Sequence, residues 1–337
     1  MAAAGCVCIE DVGALLCYSG GTGMSNGATL SQASKIFVAG HTGLAGSAIV
    51  RALEKDGFKN LLRVPHAELD LLDQQAVHRF FQSEKPDAVV LAAARVGGIK
   101  SNMMLPATFS HENITIQTNV ISSAHACGTK HLLFLASSCI YPRLAPQPIV
   151  EESLMTGLLE PTNAPYALAK LAGISLCDSY NKQHGTRYRS IMLTNLYGPH
   201  DSFDLEHAHV LPALLRRFHE AKITSASSVT LWGTGSALRD FLYVDDAATA
   251  CVLLLKDSGS ELLNVGSSSD ISIGNLATLI AEIVGYSGKI EYDRTQPDGM
   301  PRKVLDCSKI HRLGWKPTVP LREGIERTYE WYRNRHG

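Results

Sequence analysis

A tyrosine and a lysine lie four residues apart in the segment NAPYALAKLAG, which spans residues 163–173. On a helix this spacing places Tyr166 and Lys170 on one face, about one turn from each other. A free tyrosine holds its proton until roughly pH 10, and a nearby ammonium group lowers that pKa. The pair is therefore predicted to donate and accept a proton. The alternative is a solvated helix face, since both residue types are common on helix surfaces.

Three glycines recur at every third position in the turn GHTGLAG, which spans residues 40–46. The apolar run KIFVA precedes the turn, and residues 44–55 carry apolar side chains at helical spacing. A strand, a glycine-rich turn and a helix in this order are typical of a dinucleotide site, where the helix N-terminus meets the pyrophosphate. The alternative is a tight turn that binds no ligand. The residues predicted to contact the cofactor here are Gly40, His41, Thr42, Gly43, Leu44, Ala45 and Gly46.

The next predicted strand, at residues 60–64, indicates which dinucleotide is bound. Sites that prefer NAD carry an acidic residue near the end of this strand, where it binds the ribose hydroxyl. Here the first carboxylate is Glu68, whereas Arg63 and His66 lie closer to the strand end. Either side chain suits the 2′-phosphate of NADP, so the sequence favours NADP(H). The alternative for Arg63 is a solvated arginine at a strand end.

Apolar strands alternate with helical segments through the first part of the chain. The runs at residues 88–94 and 131–136 are apolar almost throughout, as in strands covered on both faces. Predicted helices follow at about residues 106–127 and 163–181. This alternation predicts an α/β fold with a Rossmann-type doubly wound parallel sheet, in which ligands bind beyond the carboxyl ends of the strands.

After residue 198 the pattern changes to short strands and helices, which predicts a smaller C-terminal α/β substrate domain. The segment at residues 1–34 is rich in Gly, Ser, Ala and Thr and is predicted to be a flexible N-terminal tail. The dinucleotide-binding domain is predicted at residues 35–198, with later segments returning to it, and a mainly substrate-binding domain at residues 199–337. The tail contains Gly21-Thr-Gly23, which is interpreted as unrelated to phosphate binding because no amphipathic helix follows it.

The overall composition argues against several classes of protein. With 31 basic and 32 acidic residues and no long basic run, the chain is not predicted to bind nucleic acid or a membrane surface. The pair Cys6 and Cys8 lacks a second pair of ligands, so no metal site is expected. The 8 scattered cysteines, and a first segment without Lys or Arg, predict reduced thiols in a cytoplasmic protein with neither signal nor transit peptide.

The turn at residues 40–46, Ser137 and the pair Tyr166 and Lys170 together resemble the extended short-chain dehydrogenase/reductases, which act largely on nucleotide sugars. The similarity is strongest to members that epimerise and reduce a 4-keto sugar. The most specific stretches are SSCIYP from residue 137 and HVLPALLRRFHEA from residue 209. The resemblance implies NADP(H) as the cofactor, a nucleotide sugar as the substrate, and a homodimer formed through residues 105–127 and 163–184.

The resemblance also implies roles for the reactive side chains. In a 4-keto sugar the hydrogens on C3 and C5 are acidic, and their inversion needs a base on one face and an acid on the other. Cys139 would be the base and His209 the acid. Tyr166 and Ser137 would bind the oxygen at C4, and Lys170 would contact the nicotinamide ribose. The alternatives are a packed core thiol at Cys139 and a solvated imidazole at His209.

Two further sets of contacts follow from the resemblance. The implied cofactor contacts, in addition to the glycine-rich turn, are Lys170, Leu193, Thr194, Asn195, Leu196 and His209. The implied substrate contacts are Arg217, Trp232, Arg239 and Asp298, where the two guanidinium groups suit a diphosphate. Trp232 could equally belong to the core.

The chain departs from the family pattern at two positions where members often carry arginine. These positions are Thr42 in the glycine-rich turn and Val64 at the end of the second strand. Both arginines would help to bind the 2′-phosphate of NADP. Two other hypotheses therefore stay open. One is another nucleotide-sugar epimerase or reductase that holds NAD, and the other is a dinucleotide-binding protein without turnover.

Overall fold

A computed structural model of the chain describes residues 30–205, 208–296 and 298–336. Strands and helices alternate from Ile36 onward, as the apolar runs predict. The strands are β1 Ile36–Ala39, β2 Leu61–Leu62, β3 Ala88–Leu91, β4 His131–Ser137, β5 Arg187–Leu193, β6 Asn195–Tyr197, β7 Ser228–Trp232, β8 Leu238–Arg239, β9 Phe241–Tyr243, β10 Leu263–Val265, β11 Ile271–Ser272, β12 Lys289–Asp293 and β13 Arg302–Lys303. The helices are α1 Leu44–Lys55, α2 Gln74–Glu84, α3 Ile99–Met104, α4 Pro106–Ala126, α5 Ala164–His184, α6 Val210–Ile223, α7 Val244–Lys256, α8 Ile273–Val284, α9 Ser308–Arg312 and α10 Leu321–His336.

Six of these strands form one parallel sheet in the order β10-β5-β4-β3-β1-β2. Its central strands are buried because helices pack on the sheet. α1 packs with α7, α4 packs with α5, and both α5 and α7 contact β4. The predicted fold class, a Rossmann-type doubly wound sheet, is confirmed.

The strands of this sheet end at a common edge. Ala39 at the end of β1 pairs with Leu91 at the end of β3. Ser137 at the end of β4 pairs with Leu193 at the end of β5, which in turn pairs with Val265 of β10. The glycine-rich turn and the residues after β4 and β5 therefore lie along one edge, where ligands of such sheets bind.

A second, smaller core contains α6, α8 and α10. Buried side chains such as Leu215, Phe218, Ile280 and Ile325 belong to it. Three small sheets accompany this core: β11-β8-β13, β12-β7 and β6-β9. β10 joins the large sheet although it follows these residues in the chain, so the chain returns to the first core. The boundaries at residues 34 and 198 stay a prediction.

Most of the predicted N-terminal tail, including Gly21-Thr-Gly23, lies outside the described residues. Its last residues pack against the first core. Leu30 contacts that core, and the side-chain amide of Gln32 donates a hydrogen bond to the carbonyl oxygen of Asp56 at 3.3 Å. In the part of the chain that the structure describes, no helix is both long and apolar enough to span a bilayer.

Candidate active site

The turn after β1 depends on glycine at two of its three glycine positions. Gly40 has φ +84°, and a Cβ there would lie 2.7 Å from the backbone nitrogen of Ala93. A Cβ at Gly46 would lie 2.0 Å from the carbonyl oxygen of Gly40, which no real contact allows. At Gly43 a Cβ would lie 3.6 Å from the same oxygen and meets no obstacle. Gly40 and Gly46 therefore let the turn fold tightly back onto the start of α1.

The N-terminus of α1 carries no capping side chain. Its N-cap residue is Gly43, and its first turn contains no acidic residue. α2 differs, because the carboxylate of Asp73 accepts hydrogen bonds from the N–H groups of Gln75 and Ala76. The first N–H groups of α1, which have no partner within the helix, and the positive end of its dipole fit a pyrophosphate. Of the other turn residues, His41, Leu44 and Ala45 are partly buried and Thr42 is exposed.

Arg63 and His66, the residues predicted to meet a 2′-phosphate, differ in position. Arg63 is half exposed and lies 2.9 Å from the carboxylate of Glu54. Burial lowers the pKa of His41 in the glycine-rich turn, and the charge of Arg63 lowers it further. Arg63 is therefore within electrostatic reach of the turn. The His66 ring is largely exposed and lies 3.8 Å from Asp70.

Ser137 and Cys139 occupy the end of β4 and the short helical turn after it. Ser137 is the last strand residue, and residues 138–140 form a single 3₁₀ turn. The Ser137 hydroxyl oxygen accepts a hydrogen bond from the N–H of Cys139 at 3.4 Å. Cys139 is half-buried. The thiol is therefore not sealed in the core, which was the alternative for this residue.

Tyr166 and Lys170 lie on α5 and are 9% and 3% exposed. The Lys170 ammonium donates a hydrogen bond to the carbonyl oxygen of Leu135 at 2.9 Å and lies 4.6 Å from the centroid of the Phe134 ring. Burial lowers the pKa of Lys170 to about 8, against the opposing effect of Cys139. The thiol of Cys139 is thus close enough to sense this charge.

The predicted lowering of the Tyr166 pKa is wrong for this structure. Burial raises the pKa of Tyr166 well above its ordinary value, and the neighbouring Cys139 raises it further. The reason is geometric, since the Lys170 ammonium is directed to the end of β4 and donates to Leu135. The phenol accordingly keeps its proton.

Lys303 is a residue of this site that the sequence reasoning missed. It belongs to β13, where it pairs with Arg239 of β8. Burial lowers the pKa of Lys303, and the charge of Arg239 lowers it further. The neighbouring Cys139 and Glu160 act in the opposite direction and raise this pKa. Lys303 therefore lies within electrostatic reach of both Cys139 and Arg239. The available signal was the stretch DGMPRK at residues 298–303, which also resembles the family and contains the predicted substrate residue Asp298.

His209 is the N-cap residue of α6. The residue is exposed, yet burial is the largest cause that lowers the pKa of its imidazole. The charge of Lys303 lowers the pKa of His209 further. Lys303 thus lies within electrostatic reach of both Cys139 and His209, and these three residues are called a connected series in that sense.

The predicted substrate residues lie in the smaller part of the molecule. The guanidinium of Arg239 is largely buried and donates hydrogen bonds to the carbonyl oxygens of Leu238 at 2.8 Å and Met300 at 2.6 Å. Asp298 accepts hydrogen bonds from the N–H and hydroxyl groups of Thr234 at 2.6 and 2.8 Å, and these bonds lower its pKa. The remaining two are Trp232, 60% exposed and thus not a core residue, and Arg217, partly buried on α6.

Two of the predicted cofactor contacts after β5 have side chains that form hydrogen bonds within the protein. The Thr194 hydroxyl and the Asn195 side-chain amide both donate to the carbonyl oxygen of Asp240, at 3.0 and 2.8 Å. Leu193 is buried and Leu196 partly buried. Leu193 ends the strand next to β4 and the other three residues follow it, so all four lie at the same sheet edge as Ser137.

Comparison with known proteins agrees with this geometry. A family model described as the NAD-dependent epimerase/dehydratase family matches residues 36–266. The chain belongs to this family. As a member of the NAD-dependent epimerase/dehydratase family it is an enzyme that uses a nicotinamide dinucleotide, whose pyrophosphate the uncapped start of α1 fits.

Relatives and solved structures narrow the similarity within the family. The chain is 58% identical over 302 residues to GDP-L-fucose synthase 1 of Arabidopsis thaliana, covering 89% of this chain and 94% of that protein. It is 50% identical over 308 residues to GDP-L-fucose synthase of Escherichia coli strain K12, covering 88% of this chain and 96% of that protein. The structure of a GDP-L-fucose synthetase from Naegleria fowleri bound to NADP is similar with a TM-score of 0.83, 29% identity and coverage of 91% and 96%.

Proposed function

We propose that the chain is an NADP(H)-dependent enzyme that converts GDP-4-keto-6-deoxy-D-mannose to GDP-L-fucose by epimerisation at C3 and C5 and reduction at C4. The observation that carries the proposal is the connected series of Cys139, Lys303 and His209, with Tyr166 and Lys170 beside the thiol. Relatives named GDP-L-fucose synthases, at 50% and 58% identity, support the choice of sugar.

Epimerisation requires that a proton leaves C3 or C5 on one face and returns on the other. Cys139 is assigned as the base, and the hydroxyls of Tyr166 and Ser137 hydrogen-bond the developing enolate oxygen. His209 is assigned as the acid. Its lowered pKa leaves the free imidazole neutral near pH 7. A bound diphosphate favours the imidazolium, because an opposite charge nearby raises the pKa of histidine.

Reduction then uses the same oxygen. When bound, the reduced dinucleotide supplies a hydride to C4. Tyr166 is assigned to give its proton to the C4 oxygen, since its phenol is protonated at neutral pH. Lys170 holds the tyrosine helix against the end of β4 through its hydrogen bond to Leu135.

The nucleotide end of the substrate is assigned to positive and aromatic groups of the smaller core. Arg239 and Lys303 are paired residues on adjacent strands, and their charges suit a diphosphate. Arg217 of α6 is assigned to the same group. The exposed Trp232 offers an apolar face to the guanine ring of the nucleotide. Asp298 lies next to Gly233, the residue after Trp232.

NADP rather than NAD is proposed for the cofactor. Arg63 lies within electrostatic reach of the glycine-rich turn, and no carboxylate occurs before Glu68 at the end of β2. The variant Arg63→Glu should weaken binding of NADPH much more than binding of NADH. His66→Glu tests the second candidate, whose ring is largely exposed and lies 3.8 Å from Asp70. Equal effects of the Arg63 variant on both cofactors would contradict the preference.

The decisive experiment incubates the purified enzyme with GDP-4-keto-6-deoxy-D-mannose and either NADPH or NADH. NADPH should be oxidised and GDP-L-fucose should form, which NMR identifies. No turnover, with cofactor binding retained, would support a dinucleotide-binding protein without catalysis. Turnover of another 4-keto nucleotide sugar in preference to this one would support a different reductase on the same scaffold.

A homodimer, a cytoplasmic location and the division at residue 198 also belong to the proposal. α4 and α5 pack together and carry the exposed apolar side chains Ile114 and Leu168. The variant Leu168→Asp should halve the molar mass measured by light scattering. Ile223→Asp, on an equally exposed position of α6, should leave the mass unchanged. A monomeric parent protein would contradict the dimer.

A further inference from the structure

A buried asparagine on β10 connects three segments of the chain by hydrogen bonds. The side-chain oxygen of Asn264 accepts a bond from the hydroxyl of Tyr141 at 2.6 Å. Its side-chain nitrogen donates to the carbonyl oxygens of Ile149 at 2.9 Å and Asp306 at 3.0 Å. Its backbone N–H donates to the carboxylate of Glu151 at 2.9 Å. Asn264 is 0% exposed, so protein groups rather than water satisfy this side chain.

The first of these segments carries Cys139. Tyr141 comes two residues after the thiol, at the end of the 3₁₀ turn. Its side chain is 2% exposed, and its backbone N–H bonds to the carbonyl oxygen of Ser138 at 3.4 Å. The hydroxyl bond to Asn264 therefore fixes the far end of the turn that presents the thiol.

Of the other two segments, one contains Ile149 and the other continues from Lys303 to Asp306. The N–H of Ile149 donates to the carbonyl oxygen of Val304 at 2.9 Å, and the N–H of Asp306 donates back to Ile149 at 2.9 Å. The side chain of Gln147 accepts a bond from the N–H of Val304 at 3.0 Å. Val304 is the residue after Lys303, so these bonds fix the end of β13 from which the lysine projects.

We propose that Asn264 and Tyr141 are positioning residues that hold the Cys139 turn in register with the Lys303 strand. This inference rests on the proposed function. Cys139 and Lys303 are far apart in the chain, and within electrostatic reach of each other only because their segments meet. A buried polar network whose members are all paired favours a single arrangement, since any shift leaves a buried group without a partner.

The test compares two buried tyrosines in the intact enzyme. Tyr141→Phe removes the hydroxyl bond to Asn264. Tyr188→Phe is the matched control, because Tyr188 is 1% exposed and its hydroxyl donates to the carbonyl oxygen of Thr129 at 3.0 Å. Both variants lose one buried hydrogen bond, and their melting temperatures should fall by similar amounts. A merely structural role for Tyr141 predicts no other difference.

We expect Tyr141→Phe to lower kcat for the keto sugar about tenfold to hundredfold, because a displacement of about 1 Å has that effect on a reacting group. The affinity for NADP⁺ in calorimetry should stay at the parent value. The rate at which iodoacetamide alkylates Cys139 in the protein without substrate, followed by peptide mass spectrometry, should differ from the parent rate. Tyr188→Phe should keep kcat and the alkylation rate of the parent.

The same effect of both variants on kcat and on alkylation would overturn the inference. If the parent enzyme does not turn over this sugar, the proposed function fails, and the alkylation rates still decide the role of Tyr141. Gln147→Ala is a second, milder variant that releases Val304 and also loses the local side-chain bond to the carbonyl oxygen of Ala145. It should raise KM for the nucleotide sugar with little change in kcat, whereas an unchanged KM would contradict the role of these bonds in placing Lys303.

Discussion

The glycine-rich turn and the cluster around Cys139 lie at the same edge of the large sheet, but they are built in different ways. The turn consists of backbone from seven consecutive residues, and its shape depends on the absence of Cβ atoms at Gly40 and Gly46. The cluster consists of side chains from the 3₁₀ turn after β4, from α5, from the N-cap of α6 and from β13. A cofactor site of the first kind depends on few contacts from elsewhere in the chain, such as that of Gly40 with Ala93, whereas a reactive site of the second kind depends on every contact that brings these elements together.

The largest effect is expected in the side-chain cluster. Cys139→Ser should lower the rate of epimerisation about 10²- to 10⁴-fold, the usual contribution of general acid–base catalysis. Reduction of a sugar that is already epimerised should be affected much less. Incorporation of solvent deuterium at C3 and C5, compared with NADPH oxidation, separates the two steps.

The matched control is Cys127→Ser, since Cys127 is also half-buried but lies at the end of α4 near Thr129. It should leave both steps unchanged. An equal loss of epimerisation and reduction in Cys139→Ser would show that the thiol is not the base.

A substitution in the glycine-rich turn should reduce stability and cofactor binding rather than the rate of one chemical step. Gly46→Ala should destabilise the fold by about 3 kcal/mol or more and weaken NADP⁺ binding, because the added Cβ meets backbone that cannot move aside. Gly43→Ala offers the control, with a Cβ 3.6 Å from the nearest atom. Denaturant unfolding and calorimetry measure both quantities. If Gly46→Ala were as stable and bound NADP⁺ as tightly as Gly43→Ala, the turn would tolerate a Cβ at both positions.

Lys303→Met should separate the contributions of the glycine-rich turn and of the cluster around Cys139, because it removes a charge of the cluster and leaves the turn intact. Loss of a charged hydrogen bond to the diphosphate should weaken the binding of GDP by about 1.5–3 kcal/mol. NADP⁺ affinity should not change. Lys256→Met is the control, since Lys256 pairs with Asp56 at 2.9 Å on the exposed surface. A parallel loss of NADP⁺ affinity in Lys303→Met would contradict this separation of the two regions.

The smallest effect is expected in stability at Lys170. Burial lowers its pKa from 10.5 to about 8, so between these pH values the unfolded chain binds more protons at this site than the folded chain. The resulting penalty of about 3 kcal/mol is complete below pH 8 and disappears as the pH rises to 10.5. Lys170→Met removes the penalty and also loses the bond to Leu135, worth about 1 kcal/mol.

Lys170→Met should therefore be about 2 kcal/mol more stable than the parent at pH 7, and this advantage should decline by pH 10. Urea unfolding of both proteins at each pH gives the difference in their free energies of unfolding. The contributions of tyrosines and cysteines that titrate in the same pH range are common to both proteins and cancel in this difference. A difference that does not vary with pH would mean that Lys170 is not desolvated in the folded protein.

Helices with long, regular patterns were predictable within a few residues. α1 begins and ends where the apolar spacing indicates, at Leu44–Lys55, and α4 and α5, at Pro106–Ala126 and Ala164–His184, lie within a few residues of their predicted bounds. α2 and the short strand β13 were not predicted from the sequence. The buried residues of α2, Val77 and Phe81, do lie at helical spacing, so the helix was overlooked although its pattern is present. β13 has only two residues, which is too short for a periodic pattern.

The amino-acid sequence alone determined the features that depend on neighbouring residues. The tight turn requires Gly46 because a Cβ there would meet the backbone of Gly40 in the same turn, and it favours glycine at residue 40 because φ is positive there. The spacing of Tyr166 and Lys170 on one helix is a property of the helix itself. The clash of a Cβ at Gly40 with Ala93, in contrast, arises because β3 lies beside β1 in the sheet. The direction of Lys170 toward Leu135, the raised pKa of Tyr166 and the approach of Lys303 to Cys139 were decided by the tertiary structure. Burial and electrostatic interactions depend on which distant segments contact each other, and local sequence patterns do not indicate those contacts.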